Sequence, residues 1–100
     1  MRRLTTPTHT FLIPFQTSEL KEIKITYAQN GKIILSKYMQ DCVLRGQNVE
    51  VNLTQKETQK FSEFYPCKVQ IRALTNGGQA IASKIINMAV LPVLDDEVLL

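Results

Sequence analysis

Cys67-Lys68-Val69-Gln70-Ile71-Arg72-Ala73 alternates without a break: Cys67, Val69, Ile71 and Ala73 fall on one face, Lys68, Gln70 and Arg72 on the other. Successive side chains of a strand point to opposite faces, so residues 66–74 read as a half-buried β-strand. Asn76-Gly77-Gly78 follows with the positive-φ positions a hairpin needs, and residues 80–90 return as a second apolar-rich strand. The faces decide the register. A two-residue loop would set Lys84 opposite Val69 on the buried side. A three-residue loop at 76–78, with Gly78 left-handed, sets Ile81, Ser83 and Ile85 against Ala73, Ile71 and Val69. A one-residue slip turns every side chain to the wrong face, so the three-residue loop is expected.

The same reading extends upstream. Residues 8–14 form a first short strand with Phe11, Ile13 and Phe15 on one side, and Pro7 and Pro14 bracket it as an edge. Residues 19–28 alternate, with Ile23, Ile25 and Tyr27 inward. Asn30-Gly31 is a type I′ hairpin signal. Pairing across it sets Tyr27 opposite Ile34, Ile25 opposite Ser36 and Ile23 opposite Tyr38, which leaves Ile33 and Leu35 on the outer face. Residues 40–44 continue this strand or begin a short one. Arg45-Gly46-Gln47 is a turn, after which Val49, Val51 and Leu53 alternate with Glu50 and Asn52. At Thr54 the period changes: Thr54-Gln55-Lys56-Glu57 fits a capping box opening about two helical turns, and Phe61 closes one end of the core.

About seven strands, one short crossover helix and frequent turns predict an all-β, immunoglobulin-like antiparallel β-sandwich in a single domain over 1–100. Residues 1–7 and 91–100 are expected as extended tails, and a small β-barrel is the alternative. The antibody-type cysteine pair and core tryptophan are missing, so the likeness is one of topology. The expected core comprises Ile23, Ile25, Tyr27, Ile34, Val49, Val51, Leu53, Val69, Ile71, Ile86 and Met88.

One hundred residues suffice for one core but not two. Twelve Lys and Arg against nine Asp and Glu leave a net charge of +3, spread along the chain rather than massed, which disfavours a nucleic-acid partner. No apolar run reaches the roughly 18 residues of a membrane helix. Met1-Arg2-Arg3 leads into Thr, Pro and His rather than an apolar signal core, so the chain is expected to be complete and cytoplasmic when made. Cys42 and Cys67 lack metal-ligand spacing and are expected as buried free thiols.

Catalytic chemistry finds few candidates. His9 is the single histidine, and as a general base it would need a nucleophile and an orienting acid. Asp41-Cys42 lacks a second histidine to activate the thiol. Asp95-Asp96-Glu97 reads as a solvated acidic tail rather than a cation site. No catalytic, cofactor-binding or metal-ligating residue is therefore assigned, and a small hydrolase centred on His9 or Cys42 is the least favoured reading. Interaction surface remains. Arg2 and Arg3 are basic, whereas Asp95, Asp96 and Glu97 are acidic and run into Val98-Leu99-Leu100; ends of opposite character suit head-to-tail contacts. With Ile33, Leu35 and Leu99 they form the expected interaction surface. That much apolar surface predicts a homo-oligomer, with a dimer as the simplest closed form.

The opening Met1-Arg2-Arg3-Leu4-Thr5-Thr6-Pro7-Thr8-His9-Thr10-Phe11, then Ile25-Thr26-Tyr27-Ala28-Gln29, Asp41-Cys42, Leu53-Thr54-Gln55 and Asp95-Asp96-Glu97-Val98-Leu99 resemble a family of small uncharacterised proteins encoded in prophage regions of low-GC Gram-positive bacteria. The order of strand, Leu53-Thr54, short helix and Val69-Gln70-Ile71-Arg72 is more loosely similar to the N-terminal sandwich domain of phage baseplate upper proteins. The resemblance implies a non-enzymatic virion structural or assembly module, without cofactor, that contacts other phage structural proteins or itself and enters the virion from the bacterial cytoplasm. A β-sandwich binding module for a host protein or glycan is the alternative function.

Overall fold

The computed structural model describes residues 1–100. Eight strands follow one another: β1 (Thr8–Leu12), β2 (Leu20–Gln29), β3 (Lys32–Tyr38), β4 (Cys42–Arg45), β5 (Asn48–Asn52), β6 (Cys67–Thr75), β7 (Ala80–Ala82) and β8 (Ile86–Met88). One helix, α1 (Gln55–Gln59), lies between β5 and β6. The strands form two antiparallel sheets, a smaller one ordered β1-β5-β4 and a larger one ordered β3-β2-β6-β7, with β8 also beside β6. This is an all-β sandwich. Its thinnest dimension, 16 Å across the Cα trace, suits two layers about 10 Å apart.

The alternating stretches pair with each other at the centre of the larger sheet. Ile23 faces Ala73, Ile25 faces Ile71 and Tyr27 faces Val69 across β2 and β6, and all six are buried. Against them pack Phe11, Val49, Val51 and Leu53 from the smaller sheet side. Phe61 closes the core as expected, its ring edge-on to Tyr27 with centroids 5.9 Å apart. The capping box also forms: Glu57 N donates to Thr54 Oγ1 at 3.2 Å, and Thr54 N donates to Glu57 Oε1 at 2.8 Å. The 76–78 loop has the expected register, with Ile81 opposite Ala73 and Gly78 at φ +87°.

Two registers differ from expectation, each through one inserted residue. Asn30 and Gly31 both take positive φ, and the hairpin starts as expected with Ala28 opposite Ile33. A bulge at Ile34 then sets Tyr27 opposite Leu35 and Ile25 opposite Lys37. Leu35 is therefore a core residue and leaves the outer face, while Ile34 is only partly buried. Adjacent apolar residues at 33, 34 and 35 make the pattern ambiguous. The bulged register keeps Ser36 and Tyr38 off the inner face and lets Lys37 reach Glu57, Nζ to Oε2 at 2.6 Å.

The second shift divides the return strand. Ser83 N donates to Ile71 O at 2.9 Å, and Ser83 Oγ accepts the Ile71 N–H at 3.2 Å, so one serine occupies both ladder groups of Ile71. The chain leaves the ladder there and rejoins it with Ile86, not Ile85, opposite Val69. Ile85 and Ile86 are both exposed, which removes Ile86 from the expected core, and Met88 packs at its margin.

Every edge strand is blunted. β1 sits beside Pro7 and ends before Pro14, β3 carries the bulge and an inward lysine, β4 has four residues, and β7 and β8 have three each. Short, bulged or inwardly charged edges oppose pairing with another chain. Strand addition is thus a poor route to the expected dimer.

Candidate interaction surface

The expected surface residues separate into three places. At the first, the termini hold each other. Arg2 and Leu91 form a parallel bridge, in which Arg3 N donates to Leu91 O at 3.0 Å and Leu91 N to Met1 O at 2.7 Å. Arg2 Nη1 donates to Pro92 O at 2.6 Å. Arg3 reaches further: Nε to Phe61 O at 2.7 Å, Nη2 to Gln59 O at 3.0 Å and Nη1 to Asp96 Oδ1 at 2.9 Å. Thr58 Oγ1 accepts from Thr5 N and donates to Thr5 O, which fixes the leading segment to α1. Residues 1–7 and 91–100 are therefore docked segments rather than loose tails. Arg3 and Asp96 spend their charges on each other within one chain.

Beyond Asp96 the chain stays on α1. Gln59 Nε2 donates to Asp96 O at 3.0 Å, and the Gln55 side chain clips Leu99, giving to its carbonyl and taking from its amide at 2.9 Å each. Side chains nonetheless face outward: Leu99 is 74% exposed, and Asp95 and Glu97 are exposed without an ion pair.

The second place is the end of the sandwich beside the Asn30-Gly31 turn. Ile33 remains on the surface, 66% exposed, and the trailing segment does not cover it. Ile33 pairs with Ala28 on the outer face, whereas the adjacent Gln29 turns inward and meets the loop at residues 62–65. Gln29 is buried, with Nε2 donating to Ser62 O at 2.7 Å and Tyr65 O at 2.9 Å while Oε1 accepts from Ser62 N at 2.8 Å. Phe64 N also donates to Ser62 Oγ. One buried amide thereby fixes a loop whose Phe64 is 82% exposed and whose Tyr65 is also exposed. Leu35, which was to join Ile33, is in the core instead.

The third place was missed. On the outer face of the larger sheet, Tyr38, Lys24, Arg72 and Ala82 stand in one row across β3, β2, β6 and β7. Here lies an open groove of about 750 Å³, lined in part by Lys21, Glu22, Lys24, Tyr38, Arg72 and Leu74. Lys24 Nζ sits 5.7 Å from the Tyr38 ring centroid. The chain's ion pairs are Arg3–Asp96 and Lys37–Glu57, so neither Lys24 nor Arg72 has one. Their outward alternation was legible separately in each strand. What went unread was that β2 pairs with β6, which puts the two cations opposite each other.

The groups considered for chemistry are each engaged elsewhere. His9, half-buried on β1, shares a 2.6 Å hydrogen bond between Nδ1 and Tyr27 Oη. Burial, with a smaller push from the Met1 ammonium, lowers its pKa below the ordinary value of 6.5. Burial likewise raises Tyr27 and keeps the phenol protonated. Cys67 is wholly buried, and desolvation pushes its thiol up to about 11. Cys42 is half-buried rather than buried, its thiol raised first by desolvation and then by Asp41; it donates to Tyr38 O at 3.3 Å. The two cysteines lie in different sheets and are free. No three His, Cys, Asp or Glu side chains converge as metal ligands, and no helix is long and apolar enough to cross a membrane. Set against known proteins, the chain matches no family model, and the search of curated proteins returns no match either.

Proposed function

We propose that this chain is a non-enzymatic structural or assembly module of a phage particle or prophage element, acting through protein–protein contacts. The observation that carries it is the loop held by Gln29. A buried polar side chain makes three hydrogen bonds to the backbone of residues 62–65 and so holds a loop whose Phe64 and Tyr65 are exposed, while Ile33 is exposed on the outer face of the larger sheet. Aromatic anchors fixed before contact lose little conformational freedom on binding, which is how interface hot spots work. The resemblance to prophage-encoded proteins favours phage assembly as the setting. Both cysteine thiols are held in their protonated, weakly nucleophilic form, which favours contact over catalysis.

Purifying particles from an induced host tests this. The chain should sediment with particles or assembly intermediates, and a Phe64→Ser, Ile33→Ser variant that keeps the wild-type circular dichroism should be lost from them. A chain that stays in the supernatant while its deletion leaves particle yield unchanged would overturn the proposal.

A further inference from the structure

We propose that the outer-face groove receives the acidic and aliphatic strip at 94–99 of a second copy, so that the chain associates head to tail. This rests on the reading of the protein as a contact-making module and names its partner and surface. Lys24 and Arg72 face each other directly across β2 and β6. Like charges directly opposite on neighbouring strands repel, and neither cation has an acid within ion-pair distance. A carboxylate placed between them removes that repulsion. Lys21 adds a third cation, and Glu22 is the one acid in the lining. Beside Tyr38 and Gln40, the remaining lining is apolar, with Met39, Leu74, Ala80 and Ile81 among it.

The strip has the complementary chemistry and is already displayed. Its backbone is fastened to α1 through Gln55 and Gln59, and Asp96 is held by Arg3. Leu94, Asp95, Glu97 and Leu99 keep exposed side chains, and neither of these carboxylates has an ion pair, Asp95 Oδ1 accepting the Glu97 amide at 2.9 Å. None of these residues lines the groove of its own chain. A second copy therefore supplies the strip. The two surfaces differ, so the contact is heterologous and builds a ring or an open chain rather than a two-fold dimer. A nucleic acid fits the groove less well. Tyr38 is its only aromatic side chain, and the Lys24 ammonium already sits near that ring, so no stack of free rings awaits bases.

Sedimentation of the full chain at low and high salt, with charge-reversed variants, tests the inference. The wild type should associate at low salt and weaken as salt rises. Lys24→Glu with Arg72→Glu should weaken association at least about tenfold, as should Asp95→Lys with Glu97→Lys in a separate chain. Each variant must keep the wild-type circular dichroism. Mixing the two should restore a complex, because each retains or recreates a surface complementary to the other's. A wild type that stays monomeric at low salt, association indifferent to groove reversal, or a mixture that fails to recover overturns the inference. Groove-dependent binding of a thymidine oligonucleotide without self-association overturns it in favour of nucleic acid. A monomeric chain that still sediments with particles would remove this contact and leave the assembly role standing.

Discussion

Replacing Arg3 by methionine asks what fastens the leading segment to the sandwich. The guanidinium donates to Phe61 O and Gln59 O at 2.7 and 3.0 Å and pairs with Asp96 at 2.9 Å. Gln59 is the last residue of α1, whose final backbone oxygens have no partner inside the helix, and Phe61 follows two residues beyond it. The Arg3 side chain is 16% exposed and that of Asp96 is 61% exposed. A hydrogen bond to a charged group contributes about 1.5–3 kcal/mol, so losing both carbonyl contacts should cost about 2–4 kcal/mol after allowance for water reaching the site. An ion pair as open as the Asp96 side contributes about 0–1 kcal/mol. Arg3→Met should therefore lower the thermal midpoint by about 10 °C or more, and Asp96→Asn by only a few degrees. Circular dichroism in urea and on heating reads both. In about 1 M salt, where screening acts within roughly 3 Å, the Asp96→Asn effect should shrink and the Arg3→Met effect persist. Equal losses from the two substitutions, or an Arg3→Met loss abolished by salt, would refute the argument that the Gln59 and Phe61 carbonyls rather than the ion pair do the fastening.

Gln29→Leu should cost about 3 kcal/mol or more, because it strands three buried or half-buried backbone groups of the 62–65 loop; limited proteolysis should then cut near Phe64, and an unchanged digest would contradict the loop's dependence on Gln29. The pKa of His9 is lower folded than unfolded, so between that lowered value and 6.5 the unfolded chain binds more protons, and stability should fall as pH drops from about 6.5. His9→Gln should flatten urea midpoints between pH 7 and pH 5, roughly the window in which histidine is the side chain that titrates. A disulfide reagent should label Cys42 slowly in the native protein and Cys67 only on unfolding; rapid native labelling of both would contradict the burial of Cys67.

The fold was largely legible because its central strands are strictly periodic. Over residues 23–27 of β2 and 67–73 of β6 every second residue is apolar, and a shift of one would bury Lys24, Lys68 and Arg72, so one register survives. Caps and turns were legible for a related reason: Thr54 with Glu57, Asn30-Gly31 and Gly78 are local chemistry that needs no distant partner. The misreadings fall where two registers bury nearly equal apolar surface. Ile34 and Leu35 compete for the one inward position opposite Tyr27, and the bulged register that takes Leu35 also lets Lys37 reach Glu57 on α1, twenty residues on. Ile85 and Ile86 offer the same choice, settled by the Ser83 hydroxyl taking a ladder amide.

The candidate surfaces were harder to read for the opposite reason. Arg3, Asp96 and Gln29 are single polar side chains without periodicity, and their partners lie 93 residues away for the ion pair and 33 or 36 for the Gln29 amide. Composition marks them as solvated, yet two of them organise the surface from beneath it. Arg3 locks the leading segment onto α1 and holds Asp96, and the Gln55 and Gln59 side chains fasten the backbone of the trailing segment, which leaves Leu94, Glu97 and Leu99 exposed. Gln29 does the same for the aromatic loop. In both places a polar contact with the backbone turns what would be a floppy apolar segment into a fixed one. A fixed display loses less entropy on docking than a mobile one, so under the proposed assembly role the polar side chains that periodicity passes over would set the affinity of these surfaces.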